Sequence, residues 1–138
     1  LFLGESPRFA RSQMPVAIWT IPEVAFIGAT EEELKKAGVD YGVGKSDFSE
    51  NTRALMTGES RGLLKLIFDR PTKRLLAVHM VSDRATELLS LGQTAVHLGA
   101  TVDYFFHHIF NYPTLSGVYK SAALDAVNAY EMAPAAVR

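Results

Sequence analysis

Residues 63–81 read LLKLIFDRPTKRLLAVHMV, and this stretch decides the fold. Two apolar runs, 63–68 and 75–81, flank a polar turn that contains Pro71. Apolar runs joined by a short polar turn with a proline are typical of a β-hairpin. Both runs are apolar on both of their faces, so we expect the hairpin to lie at the centre of a sheet and to be covered by helices.

The segments before the hairpin predict further strands and a short helix. Residues 16–19 form an apolar run bounded by prolines, which is typical of an edge strand, and a second apolar run follows at 24–27. Thr30 and Glu33 have the spacing of a capping box, so we expect a helix after Thr30 that Gly38 ends. Residues 39–48 then predict an extended segment, and 49–60 a loop with room for one helical turn.

Helices are expected after the hairpin. Asp83 is placed to cap a helix that runs to about residue 98, and residues 101–106 predict a second, shorter one. Thr114 is placed to cap a last helix that runs to about residue 130. Apolar or small residues at helical spacing predict the packed faces of the first and last of these helices. The first face consists of Ala85, Leu88, Gly92, Ala95 and Gly99, and the last of Leu115, Val118, Tyr119, Ala122, Ala126 and Tyr130.

This order of elements predicts an α+β fold. Strands come first and helices later, with a hairpin between them, which indicates a largely antiparallel sheet with helices packed on it. The chain has 138 residues, of which 48% are hydrophobic, and this suits one domain with its own core. We expect residues 1–15 to be a connector or tail, 16–131 the folded domain, and 132–138 a flexible C-terminal tail.

Composition excludes several classes of function. The formal net charge is -1 and the basic residues are scattered, so we expect no nucleic acid and no membrane as partners. No apolar run reaches the length of a membrane span and no signal-peptide pattern opens the chain, so a cytoplasmic location is expected. The absence of cysteine excludes disulfides and thiol chemistry within this chain.

Motifs of catalysis and of nucleotide binding are incomplete. Residues 42–46 read GVGKS, but the phosphate-binding loop needs a glycine at position 39, which is Val39, so a turn between irregular strands is the better interpretation. No Gly-x-Gly-x-x-Gly fingerprint of dinucleotide binding occurs. The histidines lack the spacing of a metal site or a triad. His79 is expected to be packed or hydrogen-bonded in the core, His97 to lie on the polar side of its helix, and His107 and His108 to lie near a functional surface.

Several segments, in the same order, resemble the C-terminal interface (dimerisation) domain of the pyridine nucleotide-disulfide oxidoreductase family. The resemblance covers about residues 16–130. Each motif alone indicates the family only weakly, but the set of motifs in this order is specific for it. The segment TIPEVAFIG at 20–28, with Thr30 and Glu31, resembles the segment that opens the family's interface domain. The central hairpin and the helix at 85–93 resemble the next parts of that domain. The last segment reads YPTLS at 112–116, where the family usually has His-Pro-Thr-Leu-Ser-Glu.

The resemblance implies a cofactor-dependent parent enzyme. Members bind FAD and a nicotinamide nucleotide through two N-terminal domains, and the interface domain holds the homodimer together. Its His-Pro segment reaches the partner's flavin, where the histidine, oriented by the glutamate, acts as a general acid and base. The resemblance therefore places Tyr112 and Pro113 against the partner's flavin and implies FAD and NAD(P) in the parent, with no cofactor or metal bound to this chain alone.

Both usual catalytic residues are replaced here. Position 112 is tyrosine and position 117 is glycine, so we expect no catalytic residue in this chain. A phenol titrates near pH ~10 and an imidazole near ~6.5, so tyrosine is a poor proton shuttle at neutral pH. The FNYPT segment at 110–114 resembles the corresponding segment of one branch of the family, the soluble pyridine nucleotide transhydrogenases. Enzymes of this branch move hydride between NADPH and NAD through FAD and need no disulfide. The alternatives are a divergent disulfide reductase similar to dihydrolipoamide dehydrogenase, and a non-enzymatic self-association module.

Overall fold

The fold, described by a computed structural model for residues 14–131, is a five-stranded antiparallel sheet with helices. The strand order is β1-β2-β5-β4-β3. Two 3-10 turns, Phe48–Glu50 and Leu115–Gly117, precede α2 and α5. The strands are β1 (Val16–Ile18), β2 (Glu23–Gly28), β3 (Tyr41–Asp47), β4 (Gly62–Asp69) and β5 (Leu75–Ser82), and the helices are α1 (Glu31–Lys36), α2 (Thr52–Thr57), α3 (Ala85–His97), α4 (Val102–His107) and α5 (Val118–Glu131).

The α+β fold with an antiparallel sheet is confirmed, and the β4–β5 hairpin lies inside the sheet between β2 and β3. The edge strand predicted at 16–19 is β1. The tails predicted at 1–15 and 132–138 lie almost wholly outside the described residues. Within residues 14–131, no helix combines the length and apolar character that a membrane crossing requires.

Helices α3 and α5 cover one face of the sheet. Side chains that alternate along β4 and β5 point to this face and form the core with Phe105 and Tyr119. The predicted packing face of α5 is confirmed, since Val118, Tyr119 and Ala122 are fully buried. The core side chains of the hairpin are Leu64, Leu66, Phe68, Val78 and Met80.

The apolar pattern of the hairpin predicted that helices cover both of its faces. The structure differs, because helices do not cover both faces completely. On the face opposite α3 and α5, Leu34 of α1 packs on Ile67 and Ala77 at one end of the sheet. The other end is left uncovered by residues 14–131. We call this region the open face; its apolar side chains are Val16, Ile18, Val24, Phe26, Leu63 and Val81.

The turn predicted at residues 42–46 is wrong, because these residues lie inside β3 and pair with β4. Both glycines serve packing. A Cβ at Gly42 would overlap the ring of Phe68, and a Cβ at Gly44 would overlap the backbone of α5 at Ala122. Gly44 therefore lets the edge strand pass closely under α5, Gly42 leaves room for the Phe68 ring, and neither forms a phosphate-binding turn.

The start of α3 also differs from the prediction. Asp83 does not cap the helix; Arg84 occupies the N-cap position and makes no side-chain capping bond. Instead, the carboxylate of Glu23, on β2, accepts from the backbone N–H of Thr86 at 3.0 Å and from its hydroxyl at 2.7 Å. These two hydrogen bonds hold the pKa of Glu23 below its usual range. The cap is thus supplied from a distant strand, which local sequence does not reveal.

The capping box at the start of α1 is confirmed. The backbone N–H of Glu33 donates to the Thr30 hydroxyl at 3.2 Å, and the backbone N–H of Thr30 donates to the Glu33 carboxylate at 2.8 Å. Glu31 has a further role, because it pairs with Lys65 of β4 at 2.8 Å and accepts from the Tyr41 hydroxyl at 3.1 Å. Helix α1 is therefore tied to the sheet at its first turn.

Candidate functional site

The loop between α4 and α5 carries Tyr112 and Pro113, the residues predicted to meet a flavin. The Tyr112–Pro113 peptide bond is cis. Thr114 does not cap α5 as predicted: its hydroxyl donates to the Asn111 carbonyl at 2.8 Å, and a 3-10 turn intervenes before the helix. The loop therefore closes on itself and leaves the ring of Tyr112 pointing outward, with 81% of the residue exposed.

The start of α2 holds this loop from the side. The side-chain oxygen of Asn51 caps α2 by accepting from Ala54 N–H at 3.0 Å, while its amide nitrogen donates to the Thr114 carbonyl at 3.1 Å. The next residue, Thr52, shares a hydrogen bond of 2.9 Å with the Tyr112 hydroxyl. Two adjacent side chains thus fix the loop backbone and the end of the exposed phenol.

A cleft of about 300 Å³ lies between these elements. Its walls come from the start of α2, the loop and the first turn of α5. Lys120 lies at one side and donates to the His108 carbonyl at 3.2 Å, which steadies the start of the loop. The cleft is lined by Glu50, Asn51, Thr52, Arg53, Ile109, Phe110, Asn111, Tyr112, Pro113, Thr114, Gly117, Lys120 and Ser121.

Gly117, the second replaced position, also lines the cleft. It lies in the 3-10 turn and its N–H donates to the Thr114 carbonyl at 3.3 Å. A Cβ at this position would lie 3.4 Å from the amide nitrogen of Asn51, an ordinary van der Waals contact. Packing therefore does not require glycine at position 117, and the fold does not explain why this position lacks the side chain that the family usually has.

The structure brings Tyr112, Pro113 and Gly117 together, as the resemblance implied, and places the histidines apart from them. His108 lies between Tyr104 and Phe110, tilted against the first ring and edge-on to the second, with ring centroids at 5.1 and 4.9 Å, and His107 contacts Phe106. His79 does not lie in the core but beside the open face, edge-on to Phe26. Burial lowers its pKa and keeps the imidazole neutral. Among residues 14–131, no group of three or more histidine, cysteine or acidic side chains could hold a metal ion.

The sequence did not predict the roles of Asn51 and Thr52, which lie in a segment assigned to a loop. A signal was present, because asparagine before a short run of helix formers is typical of an N-cap. Their contact with residues 112–114, however, joins positions about 60 residues apart, and no local pattern reveals it.

Comparisons with known proteins identify the family. Residues 14–123 match the family described as "Pyridine nucleotide-disulphide oxidoreductase, dimerisation domain". The chain belongs to this family. Its relatives include proteins named "Soluble pyridine nucleotide transhydrogenase" from Vibrio atlanticus (strain LGP32), 40% identical over 128 residues, and Mycobacterium bovis (strain BCG / Pasteur 1173P2), 43% identical over 125 residues.

The chain covers only part of each relative. Both alignments include 91% of this chain, but it spans 28% and 27% of the length of those two relatives. Among solved structures, LpdA from Mycobacterium tuberculosis matches 89% of this chain with a TM-score of 0.80 and 26% identity, over 27% of its own length. The HOCl-induced flavoprotein disulfide reductase RclA from Escherichia coli matches 88% with a TM-score of 0.79 and 25% identity, over 28% of its length.

Proposed function

We propose that the chain is the dimerisation domain of a flavin-dependent oxidoreductase that moves hydride between NADPH and NAD through FAD. The observation that carries the proposal is the exposed Tyr112–Pro113 loop, held by Asn51 and Thr52 on a domain whose relatives are named soluble pyridine nucleotide transhydrogenases. In this proposal the parent is a homodimer. Each subunit presents its loop to the flavin of the other.

The residues of the loop fit a flavin. Tyr112 offers a flat, exposed aromatic ring whose hydroxyl end is fixed by Thr52, and the half-buried Pro113 follows it. Aromatic rings pack on flat ring systems with a gain beyond the burial of area alone. Bound FAD would supply hydride transfer, and Tyr112 and Pro113 would pack against it and exclude water. No proton transfer is assigned to this chain, because the usual histidine and glutamate positions are Tyr112 and Gly117.

The alternative is a divergent disulfide reductase, which the likeness to the RclA structure supports. The chain contains no cysteine, so any redox disulfide would belong to the part of the parent outside it. FAD and NAD(P) would likewise be bound by N-terminal domains of the parent, and this chain alone would be inactive. We include a cytoplasmic parent in the proposal, which the word "soluble" in the relatives' names supports.

The test is an assay of the purified parent protein. We expect a flavin absorption spectrum, a dimer by light scattering, and transfer of hydride from NADPH to thio-NAD. Tyr112→Ala should lower this rate several-fold, whereas Tyr104→Ala, a control on the neighbouring helix α4, should not. A parent without flavin would contradict the proposal. A flavin-loaded parent that reduces a disulfide with NADPH, but not thio-NAD, would establish the alternative.

A further inference from the structure

The aromatic ring of Tyr112 is held by one polar contact. The residue is 81% exposed, and within residues 14–131 its side chain has a single hydrogen bond, the one of 2.9 Å that its hydroxyl shares with Thr52. An exposed aromatic side chain can change its χ1 and χ2 angles, because little packing holds it in one rotamer. The contact with Thr52 therefore decides how the plane of the ring is oriented.

Within residues 14–131, the hydroxyl of Thr52 forms no other hydrogen bond, and α2 does not need it. The helix is capped by Asn51, whose side-chain oxygen accepts from the Ala54 N–H at 3.0 Å. Thr57, the last residue of α2, shows the usual use of such a group inside a helix, since its hydroxyl donates to the Arg53 carbonyl at 3.1 Å. The Thr52 hydroxyl instead reaches a residue 60 positions away.

The start of α2 is a firmly anchored support for this contact. Phe48, in the 3-10 turn before the helix, and Ala54, in its first turn, are fully buried. Asn51 joins the two parts, because its N–H donates to the Phe48 carbonyl at 3.0 Å. Its amide nitrogen donates to the Thr114 carbonyl at 3.1 Å. One helix end thus holds both the backbone of the loop and the end of its aromatic ring.

We propose that Thr52 is a positioning residue, which sets the orientation of the Tyr112 ring before the ring packs against the flavin of the partner subunit. This rests on the proposed function, in which the ring makes that contact. A side chain that is already ordered loses less conformational entropy when it enters a contact. Because orientation at the reacting centre governs rate, we expect the bond to affect hydride transfer more than the binding of NADPH.

The opposite role for this bond is that of a latch, which holds the ring against α2 and has to break when the ring meets a flavin. The geometry favours positioning. The ring stays exposed while its hydroxyl is bonded, and the loop backbone is held separately through the Thr114 carbonyl. A flat partner can therefore reach the ring without loss of the bond.

The test is a double-mutant cycle in the flavin-loaded parent protein. Thr52→Val removes the hydroxyl and keeps the branched shape, and Tyr112→Phe removes the other half of the bond. We expect each to lower kcat for hydride transfer from NADPH to thio-NAD about two- to fivefold, as for the loss of one neutral hydrogen bond, with KM unchanged. The double variant should be no slower than either single variant, because both remove the same interaction.

Two control variants separate positioning from folding. Thr52→Ser keeps a hydroxyl and should retain the wild-type kcat, and Thr57→Val, which removes a hydroxyl from the same helix, should leave kcat unchanged. The fluorescence lifetime of bound FAD is a readout apart from activity. We expect one dominant short lifetime in wild type and an added longer component in Thr52→Val, because the ring no longer keeps one orientation.

Three outcomes would overturn the proposal in a flavin-loaded, active parent. Effects of Thr52→Val and Tyr112→Phe that are absent, or that add up independently, would show that the bond does not act as a unit. A rise in kcat for Thr52→Val would assign the latch role. An unchanged set of FAD lifetimes would show that the ring does not depend on Thr52. A wild-type parent without flavin or hydride transfer would instead reject the proposed function, and this inference with it.

Discussion

Tyr119 joins the two long helices through its hydroxyl. The hydroxyl donates to the Leu88 carbonyl at 2.8 Å and accepts from the Gly92 N–H at 3.2 Å, so it is inserted between two groups that lie four residues apart in α3. Gly92 makes room for it, since a Cβ there would lie 2.8 Å from the phenolic oxygen. Burial raises the pKa of Tyr119 well above the usual range of a phenol, so the hydroxyl stays protonated.

Removal of this hydroxyl should weaken the fold. We expect Tyr119→Phe to lower the free energy of unfolding by about 1 kcal/mol, a typical value for a buried hydrogen bond whose partners can partly re-pair within α3. Urea unfolding followed by circular dichroism measures the change. Tyr104→Phe, at a partly exposed tyrosine, is the matched control and should lie within about 0.5 kcal/mol of wild type. Equal stability of both variants would show that the Tyr119 hydroxyl contributes nothing.

The second residue-scale prediction concerns Glu23 and pH. Its pKa is lowered by the hydrogen bonds from Thr86, so its stabilising effect is complete above the ordinary glutamate value of about 4.3 and is lost as the pH falls through the folded pKa. We expect Glu23→Gln to cost about 0.5–1 kcal/mol at pH 7, reduced by solvent screening, and less at pH 3.

Glu87→Gln is the control for this prediction. Glu87 lies in the same first turn of α3 but is exposed. Its substitution should change the unfolding free energy little at either pH. A cost for Glu23→Gln that is the same at pH 3 and pH 7 would contradict the assigned role of the carboxylate.

At the scale of elements, α5 packs closely against β3 where the two cross. Gly44→Ala would place a Cβ against the Ala122 carbonyl and 2.5 Å from the Cβ of Ala126. We expect a loss of about 1–3 kcal/mol, as for other overpacked cores. Thermal unfolding measures it, with Gly117→Ala as the control, where the added Cβ has space and no loss is expected. A Gly44→Ala variant as stable as wild type would show that the helix can move away from the strand.

The sequence predicted those elements whose signals are local. The β4–β5 hairpin, the capping box at Thr30 and the packed face of α5 each follow from residues a few positions apart. The cap of α3 by Glu23 and the close passage of Gly44 under α5 involve residues 63 and about 80 positions apart, respectively. The Asp83 prediction failed because a good local cap lost to a carboxylate from another strand.

In the candidate site, too, features with a local sequence signal were predicted and contacts between distant residues were not. The Tyr112–Pro113 segment was found through its resemblance to a family motif, and Gly117 through its departure from that motif. Asn51 and Thr52 were missed, because only the fold brings the start of α2 against the loop. The bare open face was missed because alternation along a strand shows that a side chain points outward, but not whether a neighbouring helix covers it.

At the scale of the whole molecule, the two sides of the sheet differ. The side with α3, α4 and α5 carries the Tyr112 loop, which the proposed function directs toward a partner subunit, and the open face is left uncovered by residues 14–131. The family is defined by a dimerisation domain, which is consistent with the absence of a nucleotide fingerprint from this chain. In the proposed function, its contribution to the reaction would be geometric, through contact with the flavin and the exclusion of water, rather than through a titrating side chain.

The central claim is that Tyr112 packs against the flavin of the partner subunit, and the fluorescence lifetime of FAD in the parent dimer tests it most directly. A tyrosine ring in contact with a flavin shortens this lifetime by electron transfer. We predict that Tyr112→Ala lengthens the FAD lifetime, while Tyr104→Phe, which keeps the ring that contacts His108, leaves it at the wild-type value. Identical lifetimes in wild type and Tyr112→Ala, both as flavin-loaded dimers, would contradict the account.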